Sequence, residues 1–311
     1  MKVLIAIPVM GSYEIGRISL YQWDRTTSPD AHFLLIDNSP FPSQYEALFE
    51  RGFLSRDRWS YVSNPENVGL IRSAQQAYNF ALGMEADVLV LTHNDVWVYP
   101  DLDNCNTPDG CPWRWDDSLD HVFDRIAKAG RDVGVVGLMG SKGCSSSGHR
   151  LDTFGSLIEM SGHGRQMTEW IEPAVCLDGL FLACNMRMLR QTRYERDCQV
   201  CHGMVTTGLL SCHHCGGSGK REQQGGFDQR YQWHHVYDYD ISLTSIELGY
   251  RNAVLNIPCH HLSGLTANNA AYATSGPDVH EANYQRWLQK WAHKLGVSVD
   301  VEWNYKWVGG R

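Results

Sequence analysis

Residues Asp87 to Asp101 read DVLVLTHNDVWVYPD, and the way this stretch ends decides the fold. Val88 to Leu91 is an unbroken apolar run of strand length, bounded by polar residues rather than by helical periodicity. It stops on His93, Asn94 and Asp95, three side chains of the kind that bind ligands. Such a strand is either leaving the core or delivering a site at its carboxyl end. Its neighbours along the chain bear on that choice.

Four further strand-like runs share the pattern: Lys2 to Pro8 (KVLIAIP), His32 to Asp37 (HFLLID), Trp59 to Asn64 (WSYVSN) and Val133 to Met139 (VGVVGLM). Between the runs lie helical stretches at Tyr13 to Trp23, Pro42 to Phe53, Gly69 to Met84 and Ser118 to Ala129. In the third of these, Leu70, Ala74, Ala77, Phe80 and Ala81 fall on one helical face. Nearly continuous apolar strands alternating with amphipathic helices predict an α/β fold, a mostly parallel central sheet with helices on both faces. Ligands of such sheets bind at the carboxyl ends of the strands. Three of these ends carry polar side chains: Asp37 with Asn38, Asn64 to Asn67, and His93 to Asp95. Asp and Asn also cap turns, so each alone has a plain structural reading, and the three together favour a shared site.

A chain of 311 residues with 43% hydrophobic and 20% charged residues is long and apolar enough for one large core or two smaller ones. The opening MKVLIAIPVMG is too short to span a bilayer and lacks a cleavage-site pattern. It reads as a first buried strand, and no other apolar run reaches spanning length. The expectation is a soluble, intracellular (cytoplasmic) protein with no membrane span. A net charge of −8 argues against coating nucleic acid or anionic membrane over the whole surface. PVMGSYEIG lacks the G-x-G-x-x-G spacing of dinucleotide dehydrogenases, and no phosphate-loop motif occurs.

The second half is less regular. WIEPAVCLDGLFLACNMRML reads as a strand, a turn and a further buried element. Ile241, Leu243, Ile246 and Leu248 mark a helix ended by Gly249, and Ala253 to Ile257 a strand. In VHEANYQRWLQKWAHKLG, Tyr284, Trp287 and Trp291 share a helical face. The loops around Asp101 to Asp117 and Ser141 to Asp152 have the acidic and Gly/Ser-rich composition of lids.

Taken in order, IAIPVMG, LLIDNSP, NPENVGLIRSAQQAYNFAL, VLTHNDVWVYP, CLDGLFLACNMRML, GGFDQRY, YDYDISLTSIELGY and CHHLSG resemble the motifs of GT-A glycosyltransferases of family 2. The resemblance covers roughly Lys2 to Gly264, apart from a Cys-rich segment, and implies a metal-dependent, inverting enzyme that takes a nucleotide sugar, here a UDP-sugar by expectation. Carried over by position, Pro8, Asp37, Asn67, Gly69, Arg72, Asn94 and Asp95 belong to the donor side. HND stands at the family's Asp-x-Asp, which makes Asp95 the metal ligand for Mn²⁺ or Mg²⁺, while His93 replaces the usual Asp. His260 or His261 completes the metal site. Asp238 matches the catalytic base and Asp240 its supporting position, with Tyr237 in place of the family's Glu. Asp178, Trp233 and His234 fall on the acceptor side. Against these roles stand helix capping by Asp238 or Asp240 and ordinary core packing of the aromatics.

Two C-x-x-C pairs, Cys198/Cys201 and Cys212/Cys215, have the spacing of a closed, structural Cys₄ zinc site. They resemble the zinc knuckles of DnaJ-type co-chaperones, with disulfides as the other reading. The expected organisation is therefore 1–192 for the nucleotide-sugar part, 193–222 for a Zn²⁺-binding insertion, and 223–311 for the acceptor and catalytic part. Arg187 to Glu222 holds six basic and three acidic residues, which raises phosphate contact with nucleic acid beside the plainer reading of a solvated strut. The acceptor is then a glycan or small hydroxylated molecule, with a hydroxymethylated DNA base as the alternative. A nucleotidyltransferase and a non-catalytic zinc-module binding protein are the competing classes.

Overall fold

The computed structural model describes residues 1–40, 43–98, 115–119, 122–123, 132–158, 164–197, 218, 220–262 and 277–307. Its centre is an eight-stranded sheet in the order Ile171–Ala174, Arg251–Leu255, Val133–Gly137, Phe181–Asn185, Val88–Thr92, Val3–Val9, His32–Asp37, Trp59–Ser63. The last four run parallel to one another. Phe181–Asn185 runs antiparallel between Val88–Thr92 and Val133–Gly137, a direction that a short apolar run does not encode.

Successive residues of a strand face opposite sides of the sheet, and here both sides are covered. Leu4, Ala6, Leu89 and Leu91 join one core with Ile71, Ala74 and Ala77 of helix Leu70–Gly83. Ile5, Ile7, Val88 and Val90 join the other with Leu20 and Trp23 of helix Tyr13–Thr26. The uninterrupted apolar strands of the sequence are thus strands buried on both faces. Of the other predicted helices, only Glu46–Glu50 forms within Pro42 to Phe53. The stretch Ser118 to Ala129 lies largely outside the described residues.

The C-terminal half supplies helices Tyr237–Glu247 and Pro277–Trp291 to the first core. Gly249, at φ +87°, ends the former as expected. Trp287 and Trp291 are fully buried.

The Ser141 to Asp152 lid is corrected. The strand-like run breaks at Leu138, and Met139–Cys144 pairs with Arg150–Gly155 in a second sheet that also holds Val297–Val299 and Tyr305–Trp307. Its glycines signify close packing rather than mobility: a Cβ at Gly140 would lie 2.7 Å from the Cys176 carbonyl oxygen. Asp101 to Arg114 lies outside the described residues, as do Cys198, Cys201, Cys212 and Cys215. The ribbon that leads to those cysteines is described: Arg193–Asp197 pairs with Lys220–Gln224. Among the described residues no helix is long and apolar enough to cross a membrane.

Candidate active site

Val88–Thr92 delivers the quoted stretch to the carboxyl end of the parallel strands. The chain turns at His93 to Asp95 and forms Val96–Val98, which pairs antiparallel with Cys259–His261. His261 lies opposite Val96, and the Leu262 amide donates to the Asp95 carbonyl at 3.0 Å. This pairing brings His261 Nε2 to 3.7 Å from Asp95 Oδ1, with His93 Nδ1 4.0 Å from the same oxygen. One ligand atom from each of the three residues lies within 4.8 Å of the other two.

The donor set fits a divalent cation. Asp95 is 4% exposed, and its Oδ1 has no hydrogen-bond partner. A buried carboxylate oxygen left so is costly unless something positive meets it. Burial lowers the His93 pKa, and His261 adds to this against the pull of Asp95, which favours the neutral imidazole, with one ring nitrogen bearing a lone pair for a cation. Between the two candidate histidines, it is His261 that joins the cluster; His260 pairs with Trp97 and faces away along the strand alternation.

His93 also lines a cavity of about 700 Å³ together with Asp178, Asp238, Tyr239 and His234. Asp238 opens helix Tyr237–Glu247. Its Oδ2 accepts the Gly179 amide at 2.9 Å, and its Oδ1 accepts the Tyr239 amide at 3.0 Å. Burial and the neighbouring Asp178 raise its pKa to about 6, against the opposing pull of Arg150. A carboxylate poised there can take a proton near neutrality. For Asp178, burial works upward, but the Arg150 guanidinium at 2.8 Å overcomes it and keeps the carboxyl ionised below its usual range. Burial and the neighbouring histidines hold His234 at about 4 and His235 at about 3, so this wall is uncharged at neutral pH.

Asp240 sits differently. It accepts from Tyr231 Oη at 2.9 Å, Trp291 Nε1 at 2.8 Å and Lys290 Nζ at 2.7 Å, and is 2% exposed. It anchors helix Tyr237–Glu247 to helix Pro277–Trp291 from behind the cavity. Trp233 contributes backbone: its carbonyl accepts the Ile71 amide at 3.0 Å. Trp233, His235 and Val236 all have positive φ. In residues with a Cβ this conformation is strained and clusters at functional sites.

A second cavity of about 540 Å³, beside the residues expected on the donor side, opens at Gly11 to Tyr13, Ser39 and Ser43 to Tyr45. Asp37 lies beneath it, wholly buried, accepting the Ser39 amide and the Tyr61 and Ser43 hydroxyls. It shapes this cavity by holding the Ser39 turn. Pro8 pairs with Ile36 beside it. Asn94 donates to Tyr45 Oη at 3.3 Å, which joins this second cavity to the HND turn. Asn67 Oδ1 accepts the Gly69 amide at 2.9 Å and forms the turn that opens helix Leu70–Gly83, whose Leu70 reaches the larger cavity. Arg72 is exposed on that helix and lines neither cavity.

The sequence reading missed Arg150, His280 and Tyr284, which also line the larger cavity. Arg150 falls in the stretch read as a lid, Tyr284 reads only as part of an aromatic helical face with Trp287 and Trp291, and nothing in the sequence singles out His280. Only the hairpin register and the helix docking bring them to the site.

No protein-family model matches the sequence, and no curated protein does. Among solved structures, GalNAc-T7 with UDP, GalNAc and Mn²⁺ matches over 93% of this chain and 48% of its own, at a TM-score of 0.55 and 14% identity. A mannosyltransferase from Pyrobaculum calidifontis, PcManGT in complex with GDP-Man and Mn²⁺, is 13% identical over 94% of this chain and 69% of its own, at a TM-score of 0.44. S. aureus TarS 1-349 is 11% identical over 82% of this chain and 58% of its own, at a TM-score of 0.45. The likeness to GalNAc-T7 establishes the fold, which is GT-A. This chain spans about half the length of that protein.

Proposed function

We propose that this chain is a metal-dependent inverting glycosyltransferase that moves a sugar from a nucleotide-sugar donor, a UDP-sugar first among them, to an acceptor hydroxyl. One observation carries the reading: the three-residue cluster of His93, Asp95 and His261 reaches, through His93, the same cavity that Asp238, a carboxylate tuned to about 6, also lines. Asp95 and the two histidines would hold Mn²⁺ or Mg²⁺, and the imidazoles favour Mn²⁺. When bound, the cation neutralises the departing diphosphate.

The chain's own groups supply the rest. The acceptor oxygen forms its bond to the anomeric carbon as Asp238 takes the hydroxyl proton. The bond from that carbon to the diphosphate breaks, and its electron pair leaves with the nucleoside diphosphate. Tyr13, Ser39 and Tyr45 offer the donor cavity its aromatic and hydroxyl surface. His234 forms part of an uncharged acceptor wall.

A glycan or small hydroxylated acceptor fits better than a modified DNA base. Two basic residues of the ribbon face acids: Arg193 lies 3.1 Å from Glu222, and Lys220 3.9 Å from Glu195. We retain a structural zinc at Cys198, Cys201, Cys212 and Cys215 as part of the proposal, with the insertion at 193–222 set between parts 1–192 and 223–311. Elemental analysis of the purified chain, expected to find one zinc per molecule, checks it.

The test of the function is a thermal-shift panel of nucleotide sugars with and without Mn²⁺, followed by transfer assays on the donor that binds and NMR of the product anomer. Stabilisation by no uridine, guanosine or thymidine sugar would overturn the reading. Retained anomeric configuration would overturn inversion alone.

A further inference from the structure

Asp178 and Asp238 face one cavity from adjacent backbone positions. Asp178 Oδ1 accepts the Leu180 amide at 3.2 Å, while Asp238 Oδ2 accepts the Gly179 amide next to it. Two carboxylates so placed cannot both ionise cheaply. Which of them keeps the proton is settled by where the nearest cation sits. Arg150 Nη1 lies 2.8 Å from Asp178 Oδ2, its guanidinium carbon 5.1 Å from the centre of the Tyr239 ring, and its side chain is 24% exposed.

The hairpin fixes that placement. Arg150 pairs with Cys144 across the turn Ser145 to His149, closed by the Ser145 amide to the His149 carbonyl at 2.8 Å. Helix Pro277–Trp291 pins the turn: Tyr284 Oη donates to the Ser147 carbonyl at 2.8 Å, and a Cβ on Gly148 would lie 2.6 Å from the Trp287 ring. Arg150 therefore reaches the carboxylates from a rigid support.

We propose that Arg150 is the positioning residue of this site: by pairing with Asp178 it keeps that carboxylate charged and in place, which leaves Asp238 as the proton acceptor. The proposal rests on the assignment of Asp238 as base. The other titratable groups around Asp238 are Cys176 behind it and Tyr237 and Tyr239 on its own helix. The cavity is also lined by His93, His149, His234, His235, His280, Glu281 and Tyr284. Apart from Arg150, this set contains no lysine or arginine among the described residues. In metal-free buffer, removing its charge therefore exposes Asp238 to Asp178 with no other permanent cation among the described residues that line the cavity.

The experiment compares Arg150→Met, Arg150→Lys and the double variant Arg150→Met with Asp178→Asn. Thermal unfolding confirms that each is folded, and the carboxyl ¹³C signal of Asp238 is titrated by NMR in each. In Arg150→Met the Asp238 titration should move up by about one to three pH units. The acid limb of kcat should move with it, and the KM for the donor should stay within about twofold. Arg150→Lys should restore most of kcat. The double variant should bring the titration back towards the wild-type position, because the repelling charge has gone with the compensating one.

An Asp238 titration that does not move in Arg150→Met overturns the proposal, whether or not transfer is observed. Loss of activity equal at every pH, with no rescue by lysine, also overturns it and assigns Arg150 to the scaffold. A wild-type protein that transfers no sugar, yet shows the NMR shift, overturns the function and leaves the carboxylate coupling in place.

Discussion

Asp95 Oδ1 lies 3.7 Å from His261 Nε2 and has no hydrogen-bond partner, although Asp95 is buried. The contact exists because Cys259–His261 pairs with Val96–Val98 and closes the end of the HND turn. A cation there satisfies the carboxylate oxygen and both imidazoles at once. Asp95→Asn should weaken Mn²⁺ binding and transfer by at least ~100-fold, while changing thermal stability little in metal-free buffer. Isothermal titration with Mn²⁺ measures the first effect. Wild-type affinity in the variant would place the cation elsewhere.

Asp238 ties activity and stability to pH in opposite senses. As base it must be ionised, so kcat should fall about tenfold per unit as pH drops below about 6. For stability, its folded pKa lies above the ordinary carboxylate value, so the folded chain holds the proton more tightly than the unfolded one. The stability tied to that proton is complete below about pH 3.8 and is lost as pH rises through about 6. Asp238→Asn, neutral at every pH, should abolish transfer and unfold about 1–2 kcal/mol less readily than wild type at pH 8. That advantage should vanish near pH 4. Chemical denaturation at the two pH values checks both signs.

Gly69 marks where the start of helix Leu70–Gly83 meets the Trp233 loop. It adopts φ +78°, and a Cβ would stand 2.8 Å from Trp233 Cα, a backbone atom that cannot swing aside. Gly69→Ala should therefore cost roughly 2–4 kcal/mol, from left-handed strain and overpacking together. Because the loop runs on into Asp238, kcat should fall as well. Unchanged denaturant midpoint and kcat would refute this contact.

Lys290 joins two buried carboxylates, at 3.2 Å from Asp228 Oδ2 and 2.7 Å from Asp240 Oδ1. Arg230 shares Asp228 at 2.6 Å, which leaves Asp240 the more dependent on Lys290. Lys290→Met keeps an apolar stem, removes the ammonium that lies 4.6 Å from the centre of the Tyr194 ring, and strands the Asp240 charge. Breaking a buried pair from one side costs about 3–5 kcal/mol. The loss should shrink in Lys290→Met with Asp240→Asn, where no charge is stranded, and a urea-denaturation cycle over the four proteins reads the coupling.

The fold was legible because its strands are buried on both faces. Runs such as Val88 to Leu91 have no room for a polar alternation, and the face of Leu70, Ala74 and Ala77 shows the helix that covers them. Polar ends on those runs also drew notice to His93 to Asp95, although the same residues at a strand end serve equally to cap a turn. The second sheet was illegible for the opposite reason: Met139–Cys144 packs so tightly that glycine is required, and glycine reads as a loop. Local sequence likewise left His260 and His261 undivided, and it could not show that Asp240, at the supporting position, is held by Lys290 and Trp291.

Sequence by itself determined which residue types stand at the ends of the strands, since that is a matter of local pattern. Only the tertiary structure decided which of them meet. His261 reaches Asp95 through a strand pairing, Arg150 reaches Asp178 through a hairpin register, and the desolvation that tunes Asp238 comes from the elements packed around it. Pairing, register and burial are sums over distant segments, and no window of the chain contains them.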